Sequence, residues 1–344
     1  MKTLLKVLFV VASMVLLVGC ERRPLKDPNG LTELVVMVKT EAIPNITEHI
    51  YNPKIEVPTL STEAMRLLIY DPTGEELRTQ AFLAEKSVLE GREVLSRKLL
   101  LSPDEYRLLS YNFDATHTLI AHEHKYNTIR AYTEEIPRAL YARVGSRAEQ
   151  LKIYYEPEHL FVARKEQVEV RPHSETQVIE KVAETIIDTY YLQIRVVGGE
   201  HLAQNAAGIA VLSGLAHGNR IGANEREYDD ASAVYFELQR STDERIEGEH
   251  KEVFCTLFNT FGRNPNAESE LAITLTALGR DGTKHEKVID MTPIFETEDA
   301  RERHWLLIDE VWEIPAPENP DDGKEGGFSP SVDDWDDIEE IIPI

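Results

Sequence analysis

Short segments in which apolar and polar residues alternate recur along the chain, and they limit its fold more than any other feature. Residues 191–197 read YLQIRVV, residues 234–239 read VYFELQ, and residues 273–277 read ITLTA. A period of two sends alternate side chains to opposite faces of an extended strand, so each segment is typical of a half-buried strand. Turn signals occur beside such runs, as DPTG at 71–74 and GRDG at 279–282. Together they predict antiparallel all-β sandwiches.

Further apolar runs extend this prediction over most of the chain. We expect strands at 33–40, 65–70, 95–101, 106–113, 153–155 and 160–170. Helical patterning is confined to 134–148 and 202–215, and the second segment is too rich in glycine and alanine to favour a helix. A break at Pro172, His173 and Ser174 predicts an N-terminal domain over 31–172 and a C-terminal domain over 173–344. Two domains suit a chain of 344 residues.

The first nineteen residues have the pattern of a secretory signal peptide. Lys2 and Lys6 precede an apolar run over 7–18, which is too short to span a bilayer as a helix, since about 20 residues are needed. The run ends in LVGC, which resembles a bacterial lipobox with cleavage between Gly19 and Cys20. We therefore predict a lipidated Cys20 carrying palmitate-type acyl chains, followed by a polar spacer over 20–30. The alternative is an ordinary signal peptide in which Cys20 falls by chance.

The chain is strongly acidic. Its formal net charge is −24, and removal of Lys2 and Lys6 with the leader makes it −26. Such a surface repels nucleic acid and anionic lipid headgroups. We therefore expect no nucleic-acid partner, and we expect membrane contact through the N-terminal lipid alone.

Residues of the types used in catalysis and metal binding are present without the required patterns. His117, His122, Glu123 and His124 lie close together, but no His-Glu-x-x-His helix or nearby cysteine accompanies them. Ser213 is the nearest approach to a nucleophile elbow, and the first glycine of that motif is missing. The sequence predicts a protein that is not an enzyme and has no metal site or cofactor.

The other cysteine, Cys255, lies in the run VFCTLF. That run favours a buried strand and a structural cysteine over a reactive thiol. If Cys20 is acylated, Cys255 has no partner for a disulfide.

The end of the chain combines many carboxylates with large apolar side chains. Ten acidic residues lie between Glu318 and Ile344, against the single Lys324. They lack the spacing of a calcium-binding loop. The apolar members are Trp335, Ile338, Ile341, Ile342 and Ile344. A solvated acidic tail would not carry them, so we predict a strand-pairing segment, which joins either its own C-terminal domain or a partner.

Five segments resemble one family of proteins. They read CERRPL at 20–25, SPDEYRLLSYNF at 102–113, EPEHLFVA at 156–163, LSGLA at 212–216 and GGFSPSVDDW at 326–335. With them, the chain resembles the fimbrial-anchor-type lipoproteins of the Bacteroidetes, close to the FimB-like, fimbrillin-related families.

The resemblance implies two tandem transthyretin-like antiparallel β-sandwich domains on a lipoprotein of the cell outer membrane. It implies a structural or adhesive role in the cell envelope, as a fimbrium anchor or assembly component. Fimbrial subunits would bind by β-strand complementation. Surface exposure stays open, because Glu-Arg-Arg follows Cys20 in place of an acidic run.

The alternative function is a glycan-binding surface lipoprotein, which would need an exposed aromatic platform. Trp305 and Trp312 lie seven residues apart in one apolar stretch, which favours core packing instead.

Overall fold

The structure is a computed structural model, and it describes residues 30–40, 62–89, 91–113, 116–172, 175–204, 207–228, 232–248, 250–265 and 270–317. In these ranges the chain forms twenty β-strands, with short helices at Arg138–Tyr141, Thr292–Phe295 and Glu298–Arg303. Among the described residues, no helix is long and apolar enough to span a membrane.

The strands are numbered in chain order. The first eleven are β1 (Thr32–Thr40), β2 (Met65–Tyr70), β3 (Leu77–Leu83), β4 (Glu85–Leu89), β5 (Arg92–Leu101), β6 (Asp104–Asn112), β7 (Thr118–Ala121), β8 (Arg130–Thr133), β9 (Lys152–Tyr155), β10 (Phe161–Val170) and β11 (Gln177–Thr185). The others are β12 (Asp188–Val197), β13 (Gly208–Ser213), β14 (Gly218–Arg220), β15 (Glu225–Glu227), β16 (Ser232–Thr242), β17 (Glu252–Thr260), β18 (Ala272–Leu278), β19 (Lys284–Asp290) and β20 (Trp305–Glu313).

The first sandwich is an eight-stranded sheet in the order β3-β2-β6-β10-β11-β1-β5-β4. Its two halves are joined between β10 and β11 by only two residue pairs, Phe161 with Thr185 and Val162 with Glu184. The halves face each other across a core to which seven of the eight strands contribute buried side chains. Because such a core removes alternate side chains from water on both sheets, it accounts for the period of two in the sequence.

The second sandwich has the order β19-β18-β13-β16-β17-β12-β20. Strand β16 bends from one layer into the other, since Ala233–Leu238 pair with β13 and residues 239–242 pair with β17. Strand β9 adds to β16 from outside this path. The aromatic rings of Phe236 and Phe258 stack in the core with centroids 4.2 Å apart.

A four-stranded sheet, β15-β14-β8-β7, lies between the sandwiches. Its residue Ala131 and the adjacent Tyr126 and Ile129 share a buried cluster with Tyr70 and Tyr111 from the outer face of the first sandwich. The chain also crosses from the second sandwich to the first, because β9 pairs with β16 while the next strand, β10, pairs with β6. The division into domains 31–172 and 173–344 stays a prediction, and β10 pairs with β11 across it.

The all-β sandwich fold is confirmed, but three strand pairs are parallel rather than antiparallel. These pairs are β1 with β11, β12 with β20 and β9 with β16. Parallel neighbours cannot be joined by a tight turn, so no turn motif in the sequence indicates that these strands are paired.

The weak helical patterning of 202–215 does not correspond to a helix among the described residues. Residues Gly208–Ser213 form β13, whose six residues are all buried, so the strand has no polar face to reveal its period. In 134–148 the α-helix is limited to Arg138–Tyr141. Trp305 and Trp312 are buried, and Cys255 is fully buried in β17, as the sequence predicted.

The stacked pair in the second core leads to a stability test. We expect Phe258→Ala to lower the free energy of unfolding by about 3–5 kcal/mol, because it removes a buried ring and leaves a cavity. Chemical denaturation would measure this loss. The control is Phe82→Ala: Phe82 is 50% exposed and its ring contacts Phe113, so its truncation should cost about 1 kcal/mol, clearly less than that of Phe258. Equal losses for both variants would contradict the packing described for Phe258.

Candidate functional site

The sequence-predicted site residues lie outside the described part of the chain. These are Gly19 and Cys20 at the predicted cleavage and lipidation site, and the tail residues Trp335, Ile338, Ile341, Ile342 and Ile344. They stay predictions, and the structure draws attention to a different region.

That region is the seam between β10 and β11. Beyond the two residue pairs at Phe161 and Val162, the described residues show no further ladder between these strands. The far edge of β10 is paired with β6, and the far edge of β11 is paired with β1. The two edges that face the seam therefore carry backbone N–H and C=O groups without strand partners over most of their length.

A side chain closes the other end of the seam. The backbone N–H of Arg171 donates to Gln177 Oε1 at 3.3 Å, and Gln177 Nε2 donates to the carbonyl oxygen of Glu169 at 3.4 Å. A β-bulge between Lys165 and Val168 shifts the register of β10 on β6. Bulges bend a strand and increase its twist, and this one lies in the part of β10 that has no ladder to β11.

The seam contains a cleft of about 480 Å³. Its lining combines two valines with charged side chains of both signs: Lys39, Val162, Arg164, Glu180, Lys181, Val182 and Glu184. Two of these charges pair with each other, since Lys39 Nζ lies 3.7 Å from Glu180 Oε2. Val182 is 46% exposed, and Val178 on the same strand is 56% exposed. An extended peptide in the cleft would meet open backbone edges together with apolar surface.

Edges in the second sandwich are covered by other groups. Lys284 Nζ on β19 donates to the carbonyl oxygens of Ala142 and Val144, both at 3.0 Å. Lys287 Nζ, also on β19, donates to the carbonyl oxygen of Val311 on β20 at 2.9 Å. The Lys284 contacts tie the turn after the helix Arg138–Tyr141 to β19, and the Lys287 contact occupies a carbonyl oxygen of the edge strand β20, so both hinder pairing with another strand.

The opposite side of the first sandwich is protected in a different way. Strands β3 and β4 are separated by Ala84 alone, so the chain itself closes this side. On β4, Lys86 contacts Glu63 and Glu93 at 3.3 and 3.6 Å. Strand β4 is five residues long, and short, charged edges resist pairing with another chain.

Two glutamates hold the segment that leads into β10. Glu158 accepts hydrogen bonds from the backbone N–H groups of Thr116, His117 and Thr118, each at 2.8 Å, and from the Thr118 hydroxyl at 2.6 Å. Burial raises the pKa of Glu158, but these hydrogen bonds outweigh it and the pKa lies below its usual value. The charged carboxylate of Glu158 therefore fixes the position of the segment that leads into β10.

Glu156 behaves in the opposite way. Burial, together with the nearby charge of Glu158, raises the pKa of Glu156 to about 7. The N–H of Asn259 donates to Glu156 Oε2 at 3.0 Å and only partly opposes this shift. Since Asn259 belongs to β17, the carboxyl group connects the crossover segment to the second sandwich.

Candidate groups for chemistry are engaged in structure. The Ser213 hydroxyl donates to the carbonyl oxygen of Glu270 at 2.6 Å, accepts from the Ala272 N–H at 3.2 Å and is buried. His117 stacks on Tyr155 with ring centroids 4.2 Å apart, while His122 and His124 contact each other edge-on. In the part of the chain that the structure describes, no group of three or more His, Cys, Asp and Glu side chains is arranged to hold a metal ion.

Sequence reasoning missed the strand that forms one wall of the seam. Residues Gln177–Thr185 were not predicted as a strand, because Val178 and Val182 point to the exposed face while Ile179 and Ala183 contact the core. Apolar residues on both faces remove the clean alternation on which the prediction depends. Val178 and Val182 are four residues apart, and so are Ile179 and Ala183. This spacing was the only indication in the sequence of the two faces of the strand.

This chain is similar to several known proteins. A fimbrium anchoring subunit of Bacteroides ovatus, Fim4B, named so provisionally, is 23% identical over 350 residues, covering 95% of this chain and 94% of the relative. A crystal structure described as a candidate adhesin from Bacteroides ovatus is 20% identical with a TM-score of 0.56, covering 88% of this chain and 99% of that one. The fimbrial anchor protein Mfa2 from Porphyromonas gingivalis is 12% identical with a TM-score of 0.47, covering 84% and 94%.

The fold defines the chain as an all-β sandwich protein of the kind found in that adhesin structure. The chain belongs to the family described as a domain of unknown function, DUF5119, whose model matches residues 55–237, more than half of its length. The predicted resemblance to fimbrial-anchor-type proteins of the Bacteroidetes is confirmed.

The raised pKa of the half-buried Glu156 leads to a pH-dependent prediction. Between pH 4.5, the ordinary value for Glu156, and about 7, the folded chain keeps a proton that the unfolded chain releases. Stability must therefore fall as pH rises through this window, by up to about 3 kcal/mol. We expect Glu156→Gln, which keeps the acceptor for Asn259, to remove this part of the pH dependence in urea denaturation. The exposed control Glu85→Gln should follow the wild type. A pH profile unchanged by Glu156→Gln would contradict the raised pKa of this group.

Proposed function

We propose that this protein is a lipid-anchored component of the cell envelope that anchors or assembles a fimbrium by accepting an extended strand of a fimbrial subunit at the seam between β10 and β11. The observation that carries the proposal is the pair of facing backbone edges without strand partners. The relative named as a fimbrium anchoring subunit supports it, because that protein matches this chain over nearly the full length of both.

The chemistry of the seam suits an incoming strand. Backbone N–H and C=O groups on β10 and β11 supply affinity regardless of sequence, as in other cases of β-strand addition. Val182, at 46% exposure, offers an apolar contact, and Lys181 offers positive charge along the same cleft. Val162 is buried, and the guanidinium of Arg164 already donates to the Ile221 carbonyl oxygen and to Asn224 Oδ1. We therefore expect a donor strand in which apolar residues alternate with polar or acidic ones.

The two ends of the chain have separate roles in this proposal. Acyl chains on Cys20 hold the protein in the outer membrane, with the spacer 20–30 between lipid and fold. Two or three chains make a stable anchor, since each buried CH₂ contributes about 0.8 kcal/mol. The tail residues Trp335 to Ile344 pair as a strand within the C-terminal domain, because an anchor must accept a strand rather than donate one.

The lipid anchor is tested by Cys20→Ser. We expect the variant to move from the outer-membrane fraction to the soluble fraction, and metabolic labelling with palmitate to be lost. The control is Cys255→Ser, because Cys255 is fully buried and should keep both the label and the membrane fraction. Palmitate labelling that persists in Cys20→Ser would contradict lipidation at this position.

The strand-accepting seam is tested by Val182→Asp. We expect its affinity for a fimbrial subunit from the same envelope to fall about tenfold or more, because a charge replaces an apolar contact beside the open edge. The matched control is Val288→Asp, at 39% exposure on the covered strand β19. Binding is measured by capture of subunits on the immobilised mature protein, with thermal unfolding as a check on folding.

Two results would contradict the proposal. Equal binding by Val182→Asp and Val288→Asp would remove the seam from the interface. Retention of envelope polysaccharide, with no protein subunit retained, would favour the glycan-binding alternative. In the described residues that alternative lacks a tryptophan platform, since Trp305 and Trp312 are buried.

A further inference from the structure

Strand β1 is the strand nearest the predicted lipid anchor, and it has more residue pairs with its neighbours than any other strand of the first sandwich. Strand β1 begins at Thr32, directly after the spacer, and lies between two partners. It forms seven residue pairs with β11 in parallel and eight with β5 in antiparallel orientation. A chain tethered at its N-terminus is therefore held through the middle of a sheet and not through an edge.

Side chains reinforce this position. Leu34, Val36 and Val38 project into the core and are each 2% exposed or less. The Thr32 hydroxyl donates to the carbonyl oxygen of Arg171 at 2.7 Å, which connects the first residue of β1 to the turn between β10 and β11. Withdrawing β1 would expose this apolar face to water at about 25 cal/mol per Å².

The parallel pairing determines how tension acts on the strand. Since β1 and β11 run in the same direction, the start of β1 lies beside the start of β11, as Val35 is paired with Val178. A pull on the start of β1 against the far end of β11 acts along both strands. All the hydrogen bonds of the ladder then share the force, whereas a pull across the strands breaks them one at a time.

The same strand β11 forms one wall of the seam. One of its edges is bonded to β1, and its other edge faces the cleft. A partner strand added there would be separated from the tethered strand by β11 alone. Resting on the function proposed above, we propose that β1 and β11 form a mechanical clamp that bears tension between a bound fimbrial strand and the N-terminal lipid anchor.

The clamp is tested by single-molecule force spectroscopy on the mature chain, with one handle replacing the acyl group at its N-terminus. The second handle is attached at Glu184→Cys, near the end of β11, or at Val178→Cys, near its start. Both residues are exposed, whereas the native Cys255 is fully buried and does not compete for the handle. The two attachment points use the same protein and the same ladder but load it along the strands or across them.

We expect a clearly higher unfolding force with the handle at Glu184 than with the handle at Val178. Val36→Ala, which removes core contacts of β1, should lower the first force and leave the second nearly unchanged. Equal forces at the two attachment points in the chain with native β1 would overturn the clamp, whether or not Val36→Ala folds. No fimbrial subunit is present in this experiment, so its failure is distinct from a failure of binding in the Val182→Asp test.

Discussion

The long-range pairing of β1 with β11 is the interaction on which the first sandwich depends. It brings together residues separated by more than 140 positions, such as Val35 and Val178, and it completes the layer that covers the core from one side. Without β11, strand β1 would be an edge, and its apolar residues Leu34, Val36 and Val38 would lose one neighbouring strand. The same pairing leaves the other edge of β11 facing the seam, so the closure of the fold and the proposed acceptor site are two consequences of one ladder.

The segment that crosses between the sandwiches is a second constraint on the fold, and two carboxyl groups hold it in place. Glu158 is held by three backbone N–H groups, while Glu156, two residues earlier, is half-buried and accepts a hydrogen bond from Asn259 of β17. One carboxylate is stabilised in its charged form and the other is pushed toward its neutral form. Because β9 pairs with β16 and β10 pairs with β6, this segment is attached to both sandwiches. In an anchor, such a connection would pass force from one half to the other without a free linker.

Several features of the fold could be predicted from the sequence because they are local. The alternation in 191–197 appears as β12, the apolar run 65–70 is β2, and the motif GRDG lies in the turn between β18 and β19. Other features were hidden. Strand β13 is buried on both faces, and β11 has apolar residues on both faces, so neither shows the polar alternation by which a half-buried strand is recognised.

The sequence by itself determined the fold class, the burial of Trp305, Trp312 and Cys255, and the resemblance to fimbrial-anchor-type lipoproteins. It also carries the prediction of a lipidated Cys20, which depends on contiguous residues alone. Only the tertiary structure decided which strands are neighbours and which edges stay open. The physical reason is that a strand's own side chains specify its two faces, whereas its two edges consist of backbone groups common to every residue. Their partners are therefore chosen by the packing of distant strands such as β1, β10 and β11, and the seam becomes visible only when those strands are in place.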